Sequence, residues 1–549
     1  MTAAATPDPR GASSKLVDRA LMVAGCLVIA MSAGLVLTFD HGRDQSIYAL
    51  VAREMLAGGA PYRDAFDFKP PGIFAVYAAC RAIFGAAGWG IRVFEVGAML
   101  ATALGLVRLG ERWAGSRGVG ILAAAIASQI HAQLDFWHTA QPETFGAPLT
   151  IWGLVLAGRA YEATTARRRR LLLVAVGVLF GMSGLMKPPL AGVGAAVSLF
   201  LAAGEWMRAR ADKRALPIRG MVEPPLFIAI GGVIPFALTL AWFGAKGALG
   251  DLHEVLFVFT PHYTKVSWED VSVLGMAYYG FEEWLVRYSS TLLFGLGCLA
   301  VFGAKGDERK LVAVVFGAIF VHVAGIVMQG KFFPYHWGAT FPLTALLAAL
   351  GITKAWRAAS RYGAVARLGF VIAFGVIASA KLPVPSFGES FFIRSKARLD
   401  LLRFGAPDKV AAWDALASVA DVSAGQNRAV ADFLRKETRP EDPIFVWGFE
   451  CAIYDLAERP LASRYIYNVP QRAAWSAEPM QASLMRDLAA HPPAAIVVEH
   501  HDVFRMVTGN DLDSARSLDE FPALRELIDT ELEHAARIGD FDVYLRRAE

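Results

Sequence analysis

Cysteine is scarce in this chain: four residues in 549 (Cys26, Cys80, Cys298, Cys451), far apart and with no CxxC pair. That excludes a disulfide framework and a cysteine-based zinc knuckle. Charge is also scarce, at 19% of residues, where a soluble globular chain carries about 25%. The net charge of +4 says little by itself, and nucleic acid is not an expected partner. No H-x-x-x-H or comparable ligand spacing occurs, so spacing alone points to no metal site. There is no internal repeat of the kind many transporters show, and no low-complexity segment beyond the N-terminal tail. No short apolar region with an A-x-A cleavage site follows the N-terminus.

What remains is apolar. Hydrophobic residues make up 55% of the chain and the mean hydropathy is +0.40, which points to a membrane. The first apolar run, about Leu16 to Phe39, is long enough to span and is expected to stay as an uncleaved anchor. Apolar segments follow at about 17–38, 88–110, 117–133, 144–161, 171–186, 188–205, 224–245, 289–303, 311–329, 338–354 and 366–384. They predict a polytopic α-helical membrane protein with about eleven transmembrane helices. Segment 73–85 falls short of the roughly 17 residues a span needs and reads as an interfacial helix.

Lysine and arginine in short loops set the expected orientation. The basic clusters are Arg108/Arg112/Arg117, Arg167–Arg170, Arg208/Arg210/Lys213/Arg214/Arg219, Lys305/Arg309/Lys310 and Lys354/Arg357/Arg361/Arg367. With eleven spans and a cytoplasmic N-terminus, all of them fall inside. Loops 40–87, 134–143, 246–288 and 330–337, the turn at Lys187 and everything after about 385 then face out. The expected layout is a disordered cytoplasmic tail (1–15), a transmembrane domain (16–384) containing the outer loop 40–87, and an extracytoplasmic domain (385–549). In that last part, helix-like 431–437, strand-like 443–448 and 494–499, an amphipathic stretch at 524–536 and the closing DVYLRR suggest a small α/β domain.

The outer loop 40–72, DHGRDQSIYALVAREMLAGGAPYRDAFDFKPPG, carries the first candidates. Asp44 opens a segment with Ile47, Leu50, Val51 and Met55 on one face, which suits an amphipathic helix along a surface, ended by Gly58 and Gly59. Asp44 reads equally as a helix cap and as a general base, and the roles are compatible. Lys69, stiffened by Pro70 and Pro71, stands at headgroup level; it either binds lipid phosphates without specificity or holds a substrate phosphate. Arg63, Arg92 and Lys187 lie at the same outer boundary and could assist. Lys187, in a short turn between two apolar segments, favours a site. Glu143 lies at the mouth of the fourth span, where a carboxylate is costly unless paired or facing a wet cavity. His138 and Asp135 read as ordinary surface residues. Tyr62, Asp67, His262 and His336 are candidate substrate contacts, although satisfied interfacial histidines and an aromatic belt explain much of this pattern.

Taken together, DQSIYALVAREML from Asp44, FKPPG around Lys69, the Pro142-Glu143 loop, the GLMK turn ending in Lys187 and FFPYH ending in His336 resemble GT-C fold glycosyltransferases. The similarity is to enzymes using polyprenyl-phosphate sugars, specifically the protein O-mannosyltransferase and lipid A aminoarabinose transferase family. It covers about 385 residues of the membrane half. The resemblance implies that Asp44 is the catalytic base, that Lys69 aided by Lys187 holds the departing lipid phosphate, and that Glu143 positions the acceptor. Two departures stand out. Gln45 replaces a frequent glutamate, and Phe68 replaces a glutamate that in some members binds a divalent metal, so no metal site is expected here.

The leading expectation is therefore an inverting transferase in the plasma (inner) membrane. It would move a sugar from a polyprenyl-phosphate donor to a lipid, glycan or protein acceptor on the outer face. The rivals are a transporter or flippase of a lipid-linked sugar and a scaffold using the outer domain; the scaffold leaves Asp44 and Lys69 without a task.

Overall fold

Apolar helices dominate because a chain in lipid must satisfy its backbone hydrogen bonds internally. The structure is a computed structural model and describes residues 9–213, 215, 217–266, 271–287, 290–379, 387–419 and 422–547. Residues 1–8 of the expected tail, and the expected domain boundary at 384/385, lie outside the described residues. The first half contains α1 (Pro9–Val36), α2 (Arg43–Leu56), α3 (Pro71–Phe84), α4 (Trp89–Trp113), α5 (Arg117–Gln133), α6 (Pro142–Tyr161), α7 (Ala166–Met186), α8 (Pro188–Ala211) and α9 (Ile218–Ala245). Then come α10 (Leu249–His253), a π-helical turn (Glu254–Phe259), α11 (Thr260–Lys265), α12 (Val273–Arg287), α13 (Ser290–Phe302), α14 (Asp307–Gln329), α15 (Phe341–Arg361) and α16 (Ala364–Ser379).

The expected apolar segments fall largely in helices, with residues 37–38, 88, 303 and 338–340 left outside them. Among the described residues, five helices (α4, α7, α8, α9 and α14) are long and apolar enough to cross a membrane. Their outer faces carry bare apolar side chains such as Leu171, Leu199, Leu238, Phe316 and Phe320, a belt suited to lipid rather than water. Helices α7 and α9 approach backbone to backbone, because Gly177 and Gly231 present no side chain to the facing carbonyls of Ile228 and Val174. Ion pairs Arg112–Glu162, Arg169–Glu205, Arg170–Glu223 and Lys354–Glu308 tie the basic loops together at one end of the bundle.

After α16 come α17 (Phe387–Phe404), α18 (Lys409–Leu416), α19 (Ala424–Glu437), β1 (Ile444–Trp447) and α20 (Ala452–Ala457). Strands β2 (Ala495–Glu499), β3 (Leu532–Ile538) and β4 (Phe541–Arg546) complete one sheet in the order β1-β2-β4-β3. β1 and β2 pair in parallel and the other pairs are antiparallel. The amphipathic stretch 524–536 does not form one element. It divides into a helix, Pro522–Glu531, and β3, because the Gly539-Asp540 turn (φ +56° at Gly539) folds β3 back onto β4.

The sheet bears directly on the site. One apolar cluster runs from Tyr48, Leu50 and Val51 of α2 through Phe66 and Phe259 to Phe445, Trp447 and Val497 of the sheet. Helix α2 is thus buried on almost every side from Arg43 to Ala52 instead of lying along a surface. Ile47, Leu50 and Val51 join that cluster and Met55 packs against it, so the apolar spacing marks part of an all-round burial.

Candidate functional site

Three prolines at helix starts shape the site. Proline suits the first helical position and holds the residue before it extended. Gln141 before Pro142 (φ −91°, ψ 167°) and Lys187 before Pro188 (φ −159°, ψ 121°) are held this way. Pro70 (φ −62°, ψ 155°) leads in the same manner from Lys69 into α3. Their side chains therefore project from the N-terminal ends of α3, α6 and α8, where free backbone N–H groups favour negative charge.

Asp44 lies in the first turn of α2 and does not cap it. The N-cap is Gly42, whose N–H is bonded by Gln45 Oε1 at 3.0 Å. The Gln45 amide nitrogen donates in turn to the carbonyls of Phe136 (3.1 Å), Trp137 (3.4 Å) and Thr139 (2.5 Å). A glutamate could not donate to these carbonyls, so an amide at position 45 is the chemically matched choice. Relieved of capping, the Asp44 carboxylate accepts from Gln141 Nε2 at 3.2 Å.

Lys69 stands beside this carboxylate's neighbours, its ammonium 4.9 Å from the Phe68 ring centroid and 5.8 Å from that of Tyr48. Asp67 is buried, accepts from Tyr467 Oη at 2.8 Å, and has no partner for Oδ2 among the described residues. Burial pushes its pKa up, with Lys69 opposing. Lys187 and Glu143 form a buried ion pair, and the ammonium lies 5.6 Å from the Tyr335 ring centroid. Burial lowers the Lys187 pKa, against the pull of Glu143. His336 is buried too; desolvation, then the cations Lys187 and Lys69, push its pKa well below the usual value, which keeps the ring neutral.

A groove of about 410 Å³ opens beside these groups. Its length is apolar, walled by Phe236, Leu240, Leu252, Leu256 and Phe257, and its polar end holds Lys69, Lys187, Lys331, Tyr335 and His336. Tyr335 is the shared wall: its ring lines the groove, and Asp44 lies close enough to help burial push its hydroxyl pKa up. Phe68 packs against Tyr263, ring centroids 4.3 Å apart and planes tilted by 39°, so it serves as groove lining at that position.

Asp44, Asp67, Lys69, Glu143, Lys187 and His336 are thus brought together. Four other candidates are placed elsewhere. Arg63 pairs with Asp64 at 2.7 Å and with the Lys246 carbonyl, facing a separate polar cleft. Arg92 is fully buried in a brace, bonded to Glu95 (2.7 Å), Thr139 (2.9 Å) and the Phe136 carbonyl (3.1 Å). Tyr62 is buried against Phe243 and donates to the Lys69 carbonyl at 2.8 Å, supporting the lysine from behind. His262 is exposed, because on this turn of α11 its neighbour Tyr263 faces the groove. Asp135 is no ordinary surface residue: Arg394 and Arg398 of α17 each bond it at 2.6 Å.

Two site residues escaped the sequence reading, and Tyr335 is legible there only as one of the aromatics of a belt or a sugar-stacking platform. Lys331 is adjacent to that aromatic stretch, and Gln141 precedes the Pro142-Glu143 pair. Being immediately before a helix-starting proline was the readable signal for Gln141 alone.

The sequence model of the dolichyl-phosphate-mannose-protein mannosyltransferase family matches residues 68–222. No curated protein sequence matches the chain significantly. Two crystal structures of ArnT from Cupriavidus metallidurans share the fold. The apo form has a TM-score of 0.53 and 18% identity over 97% of this chain and 98% of that one. The form bound to undecaprenyl phosphate has a TM-score of 0.52 and 16% identity over 96% and 98%. The chain is a mostly helical membrane protein of the GT-C fold, similar to the polyprenyl-phosphate-sugar glycosyltransferases, as its motifs imply.

Proposed function

We propose that this chain is an inverting glycosyltransferase moving a sugar from a polyprenyl-phosphate donor to a lipid, glycan or protein acceptor at the outer face of the plasma (inner) membrane. The observation that carries this reading is the apolar groove ending in lysines beside Asp44. A polyprenyl chain fills such a groove, as undecaprenyl phosphate binds the similar ArnT protein. Its phosphate meets Lys69, Lys187 and Lys331 and the N-terminal ends of α3 and α8.

The chemistry follows from these positions. Asp44 takes the proton of an acceptor hydroxyl, and that oxygen attacks the anomeric carbon from the face opposite the phosphate. The bond from carbon to phosphate oxygen breaks, and its electron pair stays on the phosphate, which leaves as a dianion. Fixed cations act most strongly where this charge develops. Glu143 holds Lys187 in place, and Asp67 and His336 border the sugar. The basic loops tied at one end of the bundle support eleven spans with a cytoplasmic N-terminus. Residues after about 385 then form an outer, periplasmic α/β domain above the site.

The test is purified protein in lipid vesicles with polyprenyl-phosphate sugars and a membrane extract, read by mass spectrometry for free polyprenyl phosphate. Acceptor-dependent release is expected, falling about 10²–10⁴-fold in Asp44→Asn. Full activity in that variant defeats the assignment of the base. Movement of intact donor across the bilayer with no bond broken would make the groove a transporter site.

A further inference from the structure

Asp44 is held from outside its own helix by a residue no motif marks. We infer that Gln141, locked by Tyr48, is a positioning residue that orients the Asp44 carboxylate. This rests on the reading of Asp44 as the base.

The geometry is self-consistent in only one amide orientation. A carboxylate only accepts, so the Gln141 nitrogen must face Asp44, at 3.2 Å. The amide oxygen then faces Tyr48, whose hydroxyl donates to it at 2.9 Å. Tyr48 is fully buried, as is Gln141, so no water competes for either group. A flipped amide would set its oxygen against the carboxylate.

The backbone behind Gln141 is equally fixed. Pro142 keeps it extended, and Ala140 beside it takes a left-handed conformation (φ +53°) that an alanine rarely adopts. Glu95 holds that strained turn by accepting from the Ala140 N–H at 2.8 Å, and the Ala140 carbonyl accepts from Tyr77 Oη at 3.0 Å. Strain of this kind persists where surrounding contacts over-determine it, and it gathers at functional sites.

Asp44 stands near Lys187 and among Tyr48, Tyr77, Tyr263 and Tyr335. Arg43, the residue before it, is turned away onto Glu450. The hydrogen bond from Gln141 fixes the rotation of the carboxylate, so the oxygen that meets an acceptor is set in advance.

The experiment measures kcat and the donor KM of the full-length protein in the transfer assay. Gln141→Leu should lower kcat about ten-fold, the worth of about one hydrogen bond, and leave the donor KM unchanged. Tyr48→Phe, which deletes one oxygen and frees the amide to turn, should lower kcat by less; it carries the test alone if Gln141→Leu fails to fold. In an Asp44→Asn background Gln141→Leu should cost nothing further, because no carboxylate is left to orient. An unchanged kcat in the folded variants, or the same loss in both backgrounds, overturns the inference. Full activity in Asp44→Asn would instead overturn the base assignment.

Discussion

Raising the pH from 7 to 9 should weaken the binding of undecaprenyl phosphate about ten-fold, and Lys331 should be the main cause. Its ammonium donates to the Met506 carbonyl at 2.6 Å and lies 4.3 Å from the Tyr263 ring centroid at the polar end of the groove. Burial brings its pKa down to about 8. The sign follows directly. The value in the free protein is depressed, so the cation that attracts phosphate is present below about pH 8 and lost above it. A bound phosphate restores the charged form. Affinity therefore tracks the charged fraction, which falls from about nine-tenths at pH 7 to about one-tenth at pH 9, or ~1.4 kcal/mol. The phosphate itself changes little over this range, since its second ionisation has a pKa of about 6. Equilibrium binding of labelled undecaprenyl phosphate in detergent at pH 7, 8 and 9 measures the effect. Lys331→Arg keeps its charge throughout and should flatten the profile; any slope left belongs to Lys187, whose pKa burial also lowers. The same slope in wild type and Lys331→Arg would refute the reasoning.

Three further outcomes are expected. Glu143→Gln leaves Lys187 buried without its anion and should cost about 3–5 kcal/mol, seen as a lower unfolding midpoint in detergent; Glu143→Gln with Lys187→Met should recover most of it, and an unchanged single variant would rule the pair out as a stabilising contact. Gln45→Glu removes the donor to three loop carbonyls and should destabilise by about 2–3 kcal/mol in the same assay, although it restores the residue frequent in the resembling family. Gly72→Ala sets a Cβ 2.6 Å from the backbone of Leu185, and should cost about 1–3 kcal/mol and lower phosphate affinity by parting Lys69 from Lys187.

Much of this was readable from residue order. Long apolar runs announce helices whatever their partners, and prolines after Lys69, Gln141 and Lys187 announce where helices begin. Asp44, Lys69, Glu143 and Lys187 could be chosen because an ionisable group beside an apolar segment is costly without a task. The same rule failed for Arg92, whose task is to brace the 135–140 loop through Thr139 and Phe136, and for Arg63, satisfied by the aspartate next to it. Single-chain patterns could not tell His262 from Tyr263, since which side of α11 faces the groove depends on packing against residues far away. The burial of α2 was equally hidden, because the sheet covering it comes some four hundred residues later.

That distance shapes how the protein comes into being. Arg43 is bonded to Glu450 at 2.7–2.8 Å, 407 positions further on, and Glu499 lies 3.8 Å from the same guanidinium. At a synthesis rate of about 5–20 residues per second, the segment bearing Asp44 emerges roughly 20–80 s before its partner exists. Over that interval the flank of α2 that later meets the sheet is uncovered. A ribosome that stops before β1 releases a chain whose α2 lacks its cover. Completion of the final strands thus closes the cover over α2.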